Sequence, residues 1–194
     1  MKKSRLTLLK ADRRTTEFKE WSPWMEALGS LIARFDEELT DDPLSYNETA
    51  SVSLLAAAAA MAGYLGIAEF SVVKGQRGDR RRAAPGRCDF WMATSTTHYG
   101  FEFKQSAPLR LTERDLRKSM KAAWECARCL RAGEADVRVA GVVVSLWHHD
   151  LATVPQATAM LERLATEADY AWRIAGAEGG ETGDAFLFFD VIED

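Results

Sequence analysis

The period of apolar and polar positions changes several times along the chain, and each change predicts an element. Residues 1–20 are polar and basic, and the short run Leu6 to Leu9 reads either as a strand or as an arm. Trp21-Ser22-Pro23-Trp24 predicts a helix with Ser22 as N-cap and Pro23 at its first position. Trp24, Leu28, Leu31, Ile32 and Phe35 share its apolar face, and the acids from Asp36 to Asp42, then Pro43, close it. Ser45-Tyr46-Asn47-Glu48 has the spacing of a capping box. It opens a second helix through Leu54, Leu55, Ala58, Met61, Ala62 and Leu65, whose alanine tract lets it lie close on a sheet.

The period then shortens to two. Ala68 to Val73 is apolar enough for a strand. Residues 86–92 (GRCDFWM) and 99–105 (YGFEFKQ) read as two more, with the polar run Ser95-Thr96-Thr97 as the turn between them. Cys88, Phe90 and Met92 fall on one face and Asp89 on the other; Phe101 and Phe103 point one way, Glu102 and Lys104 the other. A hairpin that sets Asp89 opposite Glu102 gathers two carboxylates and a lysine on one sheet face. Helical spacing returns after Pro108. Thr112 caps a helix to about Arg131, with Leu116, Met120, Ala123, Trp124, Ala127 and Leu130 as its buried stripe. The run 137–147 (VRVAGVVVSLW) predicts a central strand buried on both faces. Pro155 opens the last helix, with Met160, Leu161, Leu164, Ala168 and Ala171 inward; Gly176 to Gly183 is a loop and Ala185 to Ile192 a closing strand.

Composition narrows the class. With 194 residues, 47% hydrophobic and 28% charged, the chain has the size of one domain with a real core. A net charge of −4 argues against a histone-like binder of nucleic acid, though a local basic site is compatible with it. The apolar stretch Leu54 to Leu65 is too short and alanine-rich for a membrane span, and no apolar run follows Met1-Lys2-Lys3, so a cytoplasmic location is expected. Three cysteines, two of them the pair Cys126 and Cys129 within a helical pattern, read as reduced thiols.

Two further clusters bear on chemistry. Residues 74–87 read as a glycine-rich loop carrying Lys74, Arg77, Arg80, Arg81, Arg82 and Arg87 against the single acid Asp79. Just before Asp89, such a loop can clamp phosphates; the plainer alternative is a solvated loop facing the acids of residues 36–42. His148-His149-Asp150 could bind metal, but a polar strand exit is the better reading of so short a cluster. The basic residues of the helix after Thr112 read as a solvated face.

Asp89 on one strand, followed by Glu102-Phe103-Lys104 on the next, resembles the PD-(D/E)xK nuclease superfamily. Cys88 stands where many members carry the proline. The predicted order of helix, three strands, helix, strand resembles the family core over residues 45–150. The resemblance therefore implies an α/β, restriction-endonuclease-like fold: a mixed sheet flanked by helices, with 1–44 as an N-terminal extension and 151–194 adding a helix and a strand, all in one domain. It implies a Mg2+-dependent nuclease (Mn2+ as substitute) in which Asp89, Glu102 and the Phe103 carbonyl hold the metal and Lys104 orients the attacking water. The family helix often carries a glutamate near its start, which makes Glu48 the candidate third acid; as a capping-box residue it could equally do no more than cap its helix. Gln105, facing the other way along the strand, is a candidate supporting residue behind the site. No Gln-x-x-x-Tyr follows the core, which disfavours the exonuclease branch and favours an endonuclease, acting on DNA ahead of RNA. So short a chain needs a homodimer or a partner protein for specificity. The competing expectations are a non-catalytic subunit of the same fold and an unrelated α/β protein whose Glu102 and Lys104 form an exposed surface pair.

Overall fold

The computed structural model describes residues 5–76, 79–106, 111–147, 149, 152–176 and 183–193. In chain order the elements are β1 (Leu6–Lys10), α1 (Thr16–Leu39), a 3-10 turn (Pro43–Ser45), α2 (Glu48–Met61), β2 (Leu65–Gln76), β3 (Asp79–Ala93), β4 (His98–Ser106), α3 (Glu113–Ala127), β5 (Val137–Ser145), α4 (Val154–Leu164), a second 3-10 turn (Ala165–Glu167), β6 (Tyr170–Ile174) and β7 (Ala185–Val191). The strands form one seven-stranded mixed sheet in the order β1-β6-β7-β5-β4-β3-β2. Among the described strands only β4 and β5 pair in parallel, with α3 as the crossover between them.

Helices cover both faces. Trp21, Trp24, Met25 and Leu28 of α1 and Leu54, Leu55 and Ala58 of α2 pack on Phe90, Phe101, Phe103, Val139, Val143 and Phe189. On the other face, Leu116 and Ala123 of α3 and Leu161 and Leu164 of α4 pack on Ala140, Val142, Val144, Phe186 and Phe188. β5 thus sends alternate residues into two cores, as its unbroken apolar run predicts. Gly141 must lack a side chain, since a Cβ there would lie 2.3 Å from Phe103 Cε1. Among the described residues no helix is long and apolar enough to cross a membrane.

Several boundaries differ from the sequence expectation. α1 starts a full turn and more before Ser22: Thr15 is the N-cap, its hydroxyl accepting from the Phe18 amide, and Pro23 is carried inside the helix. The polar first turns conceal that start, because no apolar period marks them. Asn47, not Ser45, caps α2 by accepting from the Ala50 amide. Met61 is largely exposed, and Leu65 begins β2 instead of continuing the helix stripe. α3 ends at Ala127, and Trp124 is partly exposed under the Arg128 guanidinium, 4.4 Å from its ring. α4 stops at Leu164, and Ala171 belongs to β6, a strand hidden by the helix-like spacing of Ala168 and Ala171.

The largest correction concerns residues 74–87. Residues 74–76 and 79–87 are not a loop but belong to the distal half of a long β2–β3 hairpin, in register from Leu65 opposite Ala93 to Gly75 opposite Ala83; Arg77 and Gly78 lie outside the described residues. Backbone pairing between two adjacent strands tolerates the glycines, Pro85 and charged side chains that made the stretch read as a loop.

Candidate functional site

The site forms where β3 and β4 part. Their ladder ends with Phe90 opposite Phe101, a register that sets Asp89 across from Glu102 as the alternation predicts. Beyond that point the strands are joined by a side chain: Asp89 Oδ2 accepts from the Phe103 amide at 2.8 Å. The β2–β3 pairing is interrupted at the same level, passing from Ala68 opposite Phe90 to Phe70 opposite Cys88. Glu69, on β2 beside Asp89, has φ +56°, a left-handed conformation costing a non-glycine residue ~1–2 kcal/mol. Side-chain facing reverses across it. Ala68 and Phe90 turn to the α1–α2 core, whereas Phe70, Val72 and Cys88 cluster with Leu130 at the end of α3. Cys88 therefore does not share a face with Phe90 and Met92, as simple alternation implied. Its thiol is pushed up to about 12, chiefly by burial and then by the charge of Glu102.

Glu102 is 3% exposed, yet it carries a carboxylate beside that of Asp89. Its Oε1 has the Lys74 ammonium 2.6 Å away and no further partner among the described residues. Burial, then the negative charge of Asp89, push its pKa up to about 7, against the pull of Lys74 and Lys104. Lys104 lies 3.0 and 3.2 Å from the two oxygens of Glu48 and also donates to the Phe103 carbonyl. Burial alone would lower its pKa, but Glu48 and Asp89 outweigh burial and raise it, so the ammonium stays charged at neutral pH.

Glu48 thus reaches the site from the first position of α2, free of the capping duty that Asn47 performs. Gln105 holds it there. Its backbone amide donates to Glu48 Oε2 (3.3 Å), its Nε2 to the Leu44 carbonyl (2.8 Å), and its Oε1 accepts from Ser51 (3.0 Å). Ser51 carried no signal in the sequence, because its partner lies 54 residues away.

The basic cluster separates. Lys74 turns inward to Glu102 and is not left to face solvent; this partnership spans two strands and cannot be read from the alternation of either. Arg87 is exposed and pairs with Glu69 at 3.0 Å, and Arg82 is exposed further along β3. Arg77 and the side chains of Arg80 and Arg81 lie outside the described residues, as do His148 and Asp150. His149 is buried, its amide donating to the Leu146 carbonyl.

Among the described residues, no three or more Asp, Glu, His or Cys side chains converge closely enough to hold a metal. In kind, however, the donors fit a hard cation: two carboxylates and a carbonyl oxygen. Ammonium groups now sit on Glu102 and on the Phe103 carbonyl. Burial first and the charge of Asp89 second raise the pKa of Glu102, and a cation held between the two carboxylates would oppose both. Elsewhere, a cavity of about 200 Å3 lies against α3 and β7, lined by Leu116, Met120, Leu164, Phe188 and Asp190; none of Asp89, Glu102 and Lys104 borders it. Burial, with Asp169 adding its charge, pushes Asp190 to about 6.

A stability test follows from Glu102. Its folded pKa lies above the usual 4.5, so between the two values the folded state holds a proton that the unfolded state has released. The contribution is present below the ordinary value and is lost as pH rises through about 7. Urea unfolding at about pH 5 and about pH 8 should show wild-type stability falling, and Glu102→Gln should remove much of that fall. Equal falls in both proteins would contradict the assignment.

Comparison with protein-family models, with curated proteins and with solved structures gives no match.

Proposed function

We propose that this chain is a metal-dependent nuclease of the PD-(D/E)xK type, hydrolysing phosphodiester bonds in DNA ahead of RNA. The observation that carries this is Glu102, a buried carboxylate set against Asp89, with the charged Lys104 two residues further along the same strand. The run α2, β2, β3, β4, α3, β5 follows the order of that family's core, with β5 returning parallel to β4. On this reading the fold is restriction-endonuclease-like.

Asp89, Glu102 and the Phe103 carbonyl would hold Mg2+, or Mn2+ in its place, which when bound lowers the pKa of a coordinated water and neutralises charge at the phosphate. Lys104, being protonated, acts as a donor: it orients the water and stabilises charge developing on the phosphoryl oxygens. Glu48 holds the Lys104 ammonium, and Gln105 holds Glu48. Arg82 and Arg87 on the exposed hairpin are suited to phosphate contacts beside the site. A dimer or a partner protein would supply specificity, and a cytoplasmic location suits free thiols.

One observation favours a second reading, a non-catalytic subunit of the same fold: both site lysines are already paired with carboxylates, as they would be in a purely structural network. Purified protein, incubated with plasmid, linear and single-stranded DNA and with RNA in Mg2+ or Mn2+, decides between them. Metal-dependent cleavage lost in Asp89→Ala is the expected result. A folded protein that binds metal on none of its acids and cuts no substrate supports the second reading.

A further inference from the structure

The ion pair between Lys74 and Glu102 is built, not incidental. Lys74 starts on β2, and its carboxylate partner lies two strands away on β4. Its stem crosses β3 at Gly86, where a Cβ would lie 3.1 Å from Lys74 Cδ and 3.3 Å from Cγ. Glycine leaves that lane open. The backbone origin of the stem is pinned as well: the Gly75 amide donates to the Cys129 carbonyl at 2.8 Å, and Lys74 forms a bridge with Leu130 at the end of α3. A carboxylate 3% exposed and adjacent to a second acid is costly unless a cation accompanies it.

We infer that Lys74 is a positioning residue for Glu102: its ammonium is the resident cation of the site in the metal-free protein, and a divalent ion must displace it to reach that carboxylate. The inference rests on the nuclease reading for the identity of the ion. It makes two demands of opposite sign. Removing the ammonium leaves Glu102 without its counter-charge and so destabilises the metal-free protein. The same removal takes away a competing positive charge and so tightens metal binding. A residue with a purely structural role would weaken both.

The test uses the full chain and Mn2+ alone, with free Mn2+ read by electron paramagnetic resonance at about pH 8, on wild type, Lys74→Met and Glu102→Gln. Urea unfolding with and without Mn2+ accompanies it. Lys74→Met should bind Mn2+ about tenfold more tightly or better, be less stable than wild type without metal, and recover stability as Mn2+ is added. Gly86→Ala, which puts a methyl in the path of the stem, should shift both quantities in the same directions by less, and serves if Lys74→Met does not fold. If Glu102→Gln loses Mn2+ but Lys74→Met binds no better than wild type, the Lys74 inference is overturned and the nuclease reading stands. If wild type and Glu102→Gln bind Mn2+ alike, no ion sits at Glu102 and both are overturned.

Discussion

Lys104→Ala is expected to fold and to bind metal, yet to cleave at least ~10²-fold more slowly than wild type, the usual cost of losing a donor aimed at developing charge. Stability should barely change. The Lys104–Glu48 pair is about a third exposed on each side, and pairs of that kind contribute ~0–1 kcal/mol. Metal affinity should hold or rise, since Lys104 is no ligand and its charge opposes a cation. Single-turnover cleavage at saturating Mg2+ isolates the chemical step. The pH profile adds a second readout. A group held protonated by Glu48 and Asp89 cannot be the base, so Lys104→Ala should leave the midpoint of the rise of activity with pH where it is in wild type. Undiminished cleavage by Lys104→Ala would remove the residue from the mechanism.

The largest expected loss of stability is at Trp24. It is fully buried, its ring lies 5.5 Å from Phe90, 5.2 Å from Phe101 and 5.9 Å from Phe189, and its indole donates to the Leu55 carbonyl at 2.9 Å. Trp24→Ala removes that bond between α1 and α2 and opens a cavity behind the strands that carry Asp89 and Glu102. Such truncations cost ~3–5 kcal/mol, a large share of the ~5–15 kcal/mol typical of a domain. Urea unfolding should show the midpoint fall accordingly; a loss below about 1 kcal/mol would mean the cavity collapses. Residues 16–39 thus back the strands that carry Asp89 and Glu102.

What could be read from the chain was whatever local periodicity encodes. Strict alternation around Phe101, Glu102 and Phe103 set the register against Asp89, and Thr112 marked the start of α3. The unbroken apolar run of β5 announced a strand with two buried faces. Features that depend on distant partners were not legible. Lys74 looked like one more cation among the arginines, because its partner lies on a strand that neither adjoins β2 nor follows it directly. Glu48 was legible only as an even choice between third acid and helix cap, because Ser45 stood three residues before it, while the nearer Asn47 won the helix end. The facing reversal at Glu69 leaves no trace in composition, and it is what sent Cys88 away from Phe90. β6 was hidden by brevity, five residues whose alanine matched a helical spacing.

The strand order also sets the sequence in which the chain can close. The contact of Glu48 with Lys104 spans 56 residues and needs only elements contiguous along the chain. The N-terminal strand, by contrast, pairs Leu6 with Ile174, and the Tyr170 hydroxyl meets Thr15 across 155 residues. Closing the larger loop carries the greater entropic cost and slows the final step. The aromatic underside of α1 stays partly uncovered until Trp172 and Phe189 arrive from β6 and β7. The half bearing the acids can therefore take shape early, while the opposite edge waits for β6 and β7 and exposes apolar surface in the interval.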